Sequence, residues 1–327
     1  MKKYLLILLL LFLSVTALYF FPSWNGDTGK TRWLIAIVQL TEVDSSTQQG
    51  FKTAMKTLGY RENQDLTYLS SGFAGRVERL DKMILEHLKQ KPDLFMVSST
   101  PATLAVKRLT ADLNIPVVFA PVNDPVAAGI VADLKQPDDM ITGIRLPTGD
   151  DLRLHWLTQI VPGCKRVFVP YHANDKSAQT SIAQIKRVAP QLGLELILED
   201  VQQASNIPAV IAAMPVNIDA IFLPRDSRVE AAIAKFVSAA RSRQLPISAP
   251  SLIQVQQGAL FSYGFVHYDI GRQAARLVDQ IIKGVAPGDL PVEMAENTLS
   301  LNLATASALG IIIPDNILLQ AEHIVRE

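Results

Sequence analysis

The feature that most limits what this chain can fold into is a recurring unit: a short apolar run, small polar residues beside proline, then a segment with helical spacing. Residues 92–125 show it twice. Leu94–Val97 runs into Ser99-Thr100-Pro101, Ala102–Leu113 follows at helical spacing, and Val117–Val122 runs into Asn123-Asp124-Pro125. Short apolar strands separated by helices of about a dozen residues imply a parallel sheet covered on both faces. In such sheets ligands bind in the crevice outside the carboxyl ends of the strands. Ser99 and Thr100 can act there as simple caps, or can offer hydroxyls and the free N–H groups of a helix start to an anion. Pro101 suits the first helical turn, where its missing N–H costs nothing.

The same unit recurs along the chain. Trp33–Leu40 is an apolar strand leading through Gln39, Thr41 and Glu42 into a helix that stops at Gly59, and Asp65–Ser70 and Val77–Leu88 give the next strand and helix. Ile141–Arg145, followed by Pro147, reads as a connector. Beyond it, strands are expected at Arg166–His172, Leu194–Val201, Ala220–Pro224, Leu245–Pro250 and Ala259–Phe265. Helices are expected at Asp150–Val161, Ser177–Leu192, Ile207–Met214 and Arg228–Arg243. A helix from His267 to Gly284 and a strand at Thr298–Leu303 complete the pattern. A chain of 327 residues exceeds what one core usually supports. The expected fold is therefore α/β, with two doubly wound parallel-sheet lobes and a hinged cleft. Lobe 1 would span 33–145, completed by part of 266–327, and lobe 2 would span 146–265. Closure of such a cleft on a ligand is the natural motion.

Residues 1–24 read as a signal peptide or an N-terminal membrane anchor, since Lys2 and Lys3 precede an unbroken apolar run from Tyr4 to Phe21. The run has about the minimum length of a spanning helix. Val15-Thr16-Ala17 offers the best cleavage signal, and residues 25–32 form a polar tether. An uncleaved segment would place the main body outside the cytoplasmic membrane, in the periplasm or its equivalent. The lone Cys164 excludes an internal disulfide and a lipidated cysteine near the start. Charges balance at 31 basic against 31 acidic, so nothing marks a nucleic-acid surface.

Signatures of catalysis are missing: no Gly-x-Gly-x-x-Gly follows the first strand, and there is no phosphate loop and no nucleophile elbow. His87, His155, His172, His267 and His323 stand apart without metal-ligand spacing. No cofactor or metal is implied, and a binding protein fits better than an enzyme. The candidate ligand contacts are the polar strand ends: Gln39, Thr41, Ser99, Thr100, Asn123, Asp124, Tyr171, Asp226, Ser227, Ser251 and Tyr263. Each can equally be a cap or a turn; as carboxyl ends of two facing sheets they would rim one cleft.

The chain resembles the exported substrate-binding proteins of ABC transporters, specifically the branch related to tryptophan- and aromatic-amino-acid-binding components with a type I periplasmic binding protein fold. The matching residues include Gly50-Phe51 to Leu58-Gly59-Tyr60, Lys91–Leu94, Ser99–Ala102, Ile115–Phe119, Asn123–Val126 with Ala128-Gly129, Ile141–Gly143, Asp219–Ile221, Tyr268–Arg272 and Ala308–Ile311. The resemblance implies capture of a small solute outside the membrane and delivery to a permease. It also implies ligand contacts from Ser99, Thr100, Asn123, Asp124 and the Asp226-Ser227 turn, with Asp226 pairing an ammonium group. The chain departs from the pattern at Arg225, which adds a fixed positive charge, and at Ser248–Ser251, where an acidic residue is usual. An extracytoplasmic sensory module feeding a membrane signalling protein is the alternative.

Overall fold

The computed structural model describes residues 32–137, 140–147 and 149–327. The hydrophobic segment 4–21 and all of the tether but Arg32 lie outside the described residues.

The first sheet contains β1 (Trp33–Gln39), β2 (Leu66–Phe73), β3 (Leu94–Ser98), β4 (Val117–Val122), β5 (Ile141–Arg145) and, late in the chain, β11 (Glu293–Met294), in the order β11-β5-β4-β3-β1-β2. Every pairing is parallel. Alternate side chains enter different cores, as the two-residue period of a strand requires. Ile35, Ile37, Leu94, Met96, Val118 and Ile144 pack beneath α1 (Ser45–Thr57) and the long helix His267–Ile282. Ala36, Val38, Phe95, Val97, Val117 and Phe119 pack on the opposite face beneath α2 (Leu80–Leu88) and α3 (Thr100–Leu109). A fully buried side chain of this size contributes about 1.5–3 kcal/mol. The two helices on the first face touch closely because Gly50 and Gly271 sit between them. A Cβ on Gly50 would lie 1.9 Å from the Tyr268 carbonyl oxygen, and one on Gly271 2.0 Å from that of Thr47.

The second lobe starts with α4 (Asp150–Ile160) and continues through β6 (Arg166–Tyr171), α5 (Lys176–Val188), β7 (Glu195–Asp200), α6 (Ile207–Ala212) and β8 (Ala220–Phe222). After these come α7 (Ser227–Ala231), α8 (Ile233–Ser242), β9 (Ile247–Ser251), α9 (Leu252–Gln256) and β10 (Phe261–Phe265). The chain then returns to lobe 1 for α10 (His267–Ile282) and β11, and crosses back for β12 (Thr298–Asn302), α11 (Leu303–Ala308), α12 (Asp315–Leu318) and β13 (Ala321–Val325). The sheet order is β13-β12-β10-β9-β8-β6-β7. Val167, Val169, Phe222 and Phe261 face α4, α5, α11 and α12; Phe168, Ile221, Leu223 and Ile247 face α6, α7 and α8.

Several expectations change. Ile141–Arg145 is a sheet strand between β4 and β11, not a connector. The second sheet is mixed, because β12 runs antiparallel to β10. Thr298–Asn302 and Ala321–Val325 join lobe 2, so the segment after residue 266 is shared between the lobes. The expected helix Arg228–Arg243 is broken at Ala232, where the backbone leaves helical geometry. The chain crosses between lobes at Leu146–Pro147 with Gly149, near 266, and at 295–297.

Candidate functional site in the cleft between the lobes

In both sheets the strand order reverses near the middle, between β1 and β3 in the first and between β6 and β8 in the second. Those are the points where an open sheet leaves a crevice at its carboxyl edge, and the two crevices face each other. Between them lies a cavity of about 40 Å³ lined by Thr41, Val43, Asp44, Ser99, Thr100, Pro121, Asn123, Leu146, Phe265 and His267 on one side and Ser177, Arg225, Ser227 and Glu230 on the other. Small-molecule pockets measure roughly 300–1,000 Å³, so the lobes are drawn together in this conformation. Direct bonds join them. Asn123 Nδ2 donates to the Ser177 carbonyl oxygen at 3.0 Å, and Arg225 Nη1 donates to Asn123 Oδ1 at 3.4 Å and to the Pro147 carbonyl oxygen.

Lobe 1 sets its groups with short turns. Thr41 caps the single 3₁₀ turn Glu42–Asp44, and Asp44 Oδ2 accepts from Thr41 N at 3.0 Å. Gln39 does not line the cavity; its amide donates to the Asp44 carbonyl oxygen at 2.6 Å and props that turn. Ser99, between β3 and α3, has φ +84° and ψ 149°, a region that only glycine enters without cost, and such strain is typically 1–3 kcal/mol. Its carbonyl oxygen accepts from Thr103 N and Thr103 Oγ1, which holds the conformation, and the first turn of α3 opens onto the cavity at Thr100. Ser99 Oγ is buried and lacks a hydrogen-bond partner among the described residues.

Lobe 2 contributes charge. Arg225 is 2% exposed and reaches the three crossing segments: it donates to Pro147, it donates to Asn297 Oδ1 at 3.5 Å, and its guanidinium lies 5.8 Å from the Phe265 ring. Behind it Asp150 pairs with Arg153 at 2.9 Å and with Arg225 Nε at 3.5 Å, and Arg153 donates to the Leu223 carbonyl oxygen at 2.8 Å. Gly149, at the first crossing, lies close under Asn297, whose Nδ2 would be 2.4 Å from a Cβ placed there. Although burial opposes its charge, the two guanidinium groups hold the Asp150 carboxyl below its ordinary range.

Five of the eleven sequence candidates, Thr41, Ser99, Thr100, Asn123 and Ser227, come together around the cavity. The other six lie elsewhere. Asp226 is fully buried with its carboxylate turned to backbone: Oδ1 accepts from Arg228 N and Val229 N, and Oδ2 accepts from His172 N at 2.7 Å. It caps α7 and ties it to the end of β6. Asp124 accepts from Ala127 N in a surface turn. Ser251 closes a capping box with Gln254. Tyr171 and Tyr263 pack at the edge of the lobe 2 core, Tyr263 against Trp156 with ring centroids 6.2 Å apart.

Four lining residues with strong chemistry were absent from the sequence candidates: Asp44, Arg225, Glu230 and His267. Glu230 stands four residues after Asp226, one turn into the helix that Asp226 caps, and that spacing was the available signal. Burial raises the Asp44 carboxyl to about 6. Burial, with Asp226 and Asp44 nearby, raises that of Glu230 to about 8. His267 is held neutral, lowered to about 4 by burial. Among the described residues no group of three or more His, Cys, Asp or Glu side chains could hold a metal ion.

Two doubly wound lobes, crossed three times and meeting at a polar cleft, define a solute-binding protein of the type I periplasmic class. The family model for ABC transporter substrate-binding proteins matches residues 34–325, and the chain belongs to that family. A tyrosine-binding protein from Clostridioides difficile is 25% identical over 280 residues, which is 85% of this chain and 81% of that protein. Among solved structures, a conserved domain protein from Vibrio cholerae superposes with a TM-score of 0.83 at 27% identity, covering 90% of this chain and 99% of the other. An ABC domain from Streptococcus pneumonia in complex with L-Trp gives 0.81 at 24% identity, covering 89% and 99%. The protein is thus an extracytoplasmic solute-binding component, non-catalytic, of an ABC-type transporter.

Proposed function

We infer that the cleft captures a small polar solute, an amino acid or a related organic anion, and that the lobes close over it before delivery to a permease. The observation carrying this reading is the cavity itself. Both lobes build it from polar strand ends, and its lining includes Ser99 and His267, whose buried Oγ and Nδ1 have no hydrogen-bond partner among the described residues. A buried polar group without a bond costs about 1–3 kcal/mol, and a solute bonded to it would recover that energy only in the closed form. Such differential affinity is what shifts a hinge equilibrium. The strained Ser99 hydroxyl and the first turn of α3 suit a carboxylate. A named tyrosine-binding relative and an L-Trp complex favour amino acids within this class.

A thermal-shift screen of residues 32–327 against amino acids and small organic anions tests the reading. A true solute adds about 2.7 kcal/mol of stability at a hundredfold excess over its Kd, and Ser99→Ala should remove most of that gain. A panel in which no solute moves the melting temperature would contradict it.

A further inference from the structure

Beside the cleft, a groove of about 890 Å³ runs along α3, a volume within the roughly 300–1,000 Å³ of small-molecule sites. Its lining shares only Thr100 with that of the cleft cavity. Lobe 1 gives the groove an apolar wall, from Pro101 and Leu104 on the helix to Leu113 and Ile115 beyond its end, and Leu113 is 41% exposed. Lobe 2 gives it a polar rim at the turn between β6 and α5 and at the start of α7, where His172, Lys176 and Arg228 stand. The carboxyls of the lining are already engaged. Asp81 Oδ1 accepts from Arg108 Nη2 at 2.6 Å, and Asp175 Oδ1 accepts from Ser177 N and Ala178 N.

The donors of the rim are not engaged in the same way. Arg228 Nη1 bonds to neutral groups, His172 Nε2 at 3.0 Å and the Gln202 carbonyl oxygen at 3.1 Å, and Lys176 is exposed. A guanidinium has no acceptor, so His172 Nε2 accepts in that bond and Nδ1 carries the ring proton. His172 is 8% exposed, and its Nδ1 is buried without a hydrogen-bond partner among the described residues. A buried donor left unpaired is costly, and an incoming acceptor removes that cost. We propose that the groove is a second binding site, distinct from the solute cleft, for an amphipathic carboxylate whose apolar body lies along α3 and whose anionic end meets His172, Lys176 and Arg228. Charge-assisted hydrogen bonds from the rim hold the carboxylate, and the wall takes the apolar body out of water. Because wall and rim belong to different lobes, an occupant touches both and favours their closed arrangement without entering the cleft. The groove thereby gives a second molecule control over how long a solute is held.

Titration calorimetry on residues 32–327, which carry every strand of both sheets, tests this with three probes. Decanoate has both features, acetate lacks the apolar body, and decyltrimethylammonium reverses the charge. Decanoate is expected to bind at one site per chain, about tenfold or more tighter than either of the others, a difference of about 1.4 kcal/mol. Lys176→Gln combined with Arg228→Gln, and separately Leu113→Glu, should each weaken decanoate by about tenfold or more, with an unchanged melting temperature in the absence of probe to verify folding. Lys176→Gln alone, at an exposed position, replaces the double variant if that one melts early, and should still weaken decanoate. Ser99→Ala, in the cleft, should leave decanoate binding as it is in the wild type. Absence of decanoate binding, equal binding of decyltrimethylammonium, or indifference to the groove substitutions would overturn the proposal. So would a loss caused by Ser99→Ala, which would put the carboxylate in the solute cleft instead.

Discussion

The two walls of the cleft are built differently. Lobe 1 presents hydroxyls and amide groups fixed by local backbone: the Thr41 turn, the strained Ser99 and Asn123 at the end of β4. Lobe 2 presents charge held by a buried network, in which Arg225 leans on Asp150 and touches every crossing between the lobes. Thr41 and Ser99 in the first wall are held by bonds within lobe 1, whereas Arg225 in the second bonds across the cleft to Asn123 and to Pro147 in the first crossing. The difference suggests a division of labour, with lobe 1 selecting shape and hydrogen bonding and lobe 2 sensing closure.

The sharpest way to break this contrast is to remove Asp150. Asp150→Ala leaves Arg153 and Arg225 buried without their carboxylate, and loss of one partner from a buried pair costs about 3–5 kcal/mol; chemical denaturation should show a loss of that size. A loss under about 1 kcal/mol would mean that the network does not hold lobe 2 together.

Titration comes next. Glu230 rises from its ordinary 4.5 to about 8 in the folded protein, so its contribution to stability is complete below about pH 4.5 and disappears as the pH climbs through 8. Asp44, raised to about 6, adds to the lower part of that window. Between pH 6.5 and 8.5 the unliganded protein should therefore lose about 2 kcal/mol, chiefly from Glu230, seen as a falling melting temperature, whereas below pH 6.5 the lowered His267 works in the opposite direction. Glu230→Gln should flatten most of the slope, and an equal slope in the variant would place the titrating group elsewhere.

Ser99→Gly probes the other wall. Relief of the positive φ should stabilise the free protein by about 1 kcal/mol, while the lost hydroxyl weakens solute binding, an opposition of signs that no lobe 2 substitution should reproduce. Destabilisation by Ser99→Gly would contradict the strain. The smallest effect is expected from Asn123→Ala, which deletes one bond across the cleft at about 0.5–1.5 kcal/mol and should speed solute release more than it slows capture, as stopped-flow fluorescence would measure.

Much of the fold could be read from residue pattern, because fully buried parallel strands such as Trp33–Gln39 and Leu94–Ser98 are continuous apolar runs. Strand direction could not: Thr298–Asn302 alternates equally well whether β12 runs parallel or antiparallel to β10. Ala321–Val325 escaped because an edge strand half open to solvent needs few apolar residues. At the cleft, hydroxyl and amide tips at strand ends were visible. Asp226 and Glu230 were not separable by type, since an acidic residue at a helix start serves equally as a cap or as a cleft group. The difference is the direction of a side chain, and only packing decides it. Arg225 stood out as a charge beside an apolar strand, but its reach to the crossings depends on residues up to 78 positions away.

The central claim, that the two walls meet around a solute, is tested most directly by a distance across the cleft. Spin labels at Asp112→Cys and Asn174→Cys, exposed residues of lobes 1 and 2, in a Cys164→Ala background, allow pulsed electron resonance with and without the solute found by the thermal screen. The account predicts that a longer or broader distribution in the free protein narrows to one short distance at saturation. Identical distributions in both states would contradict it.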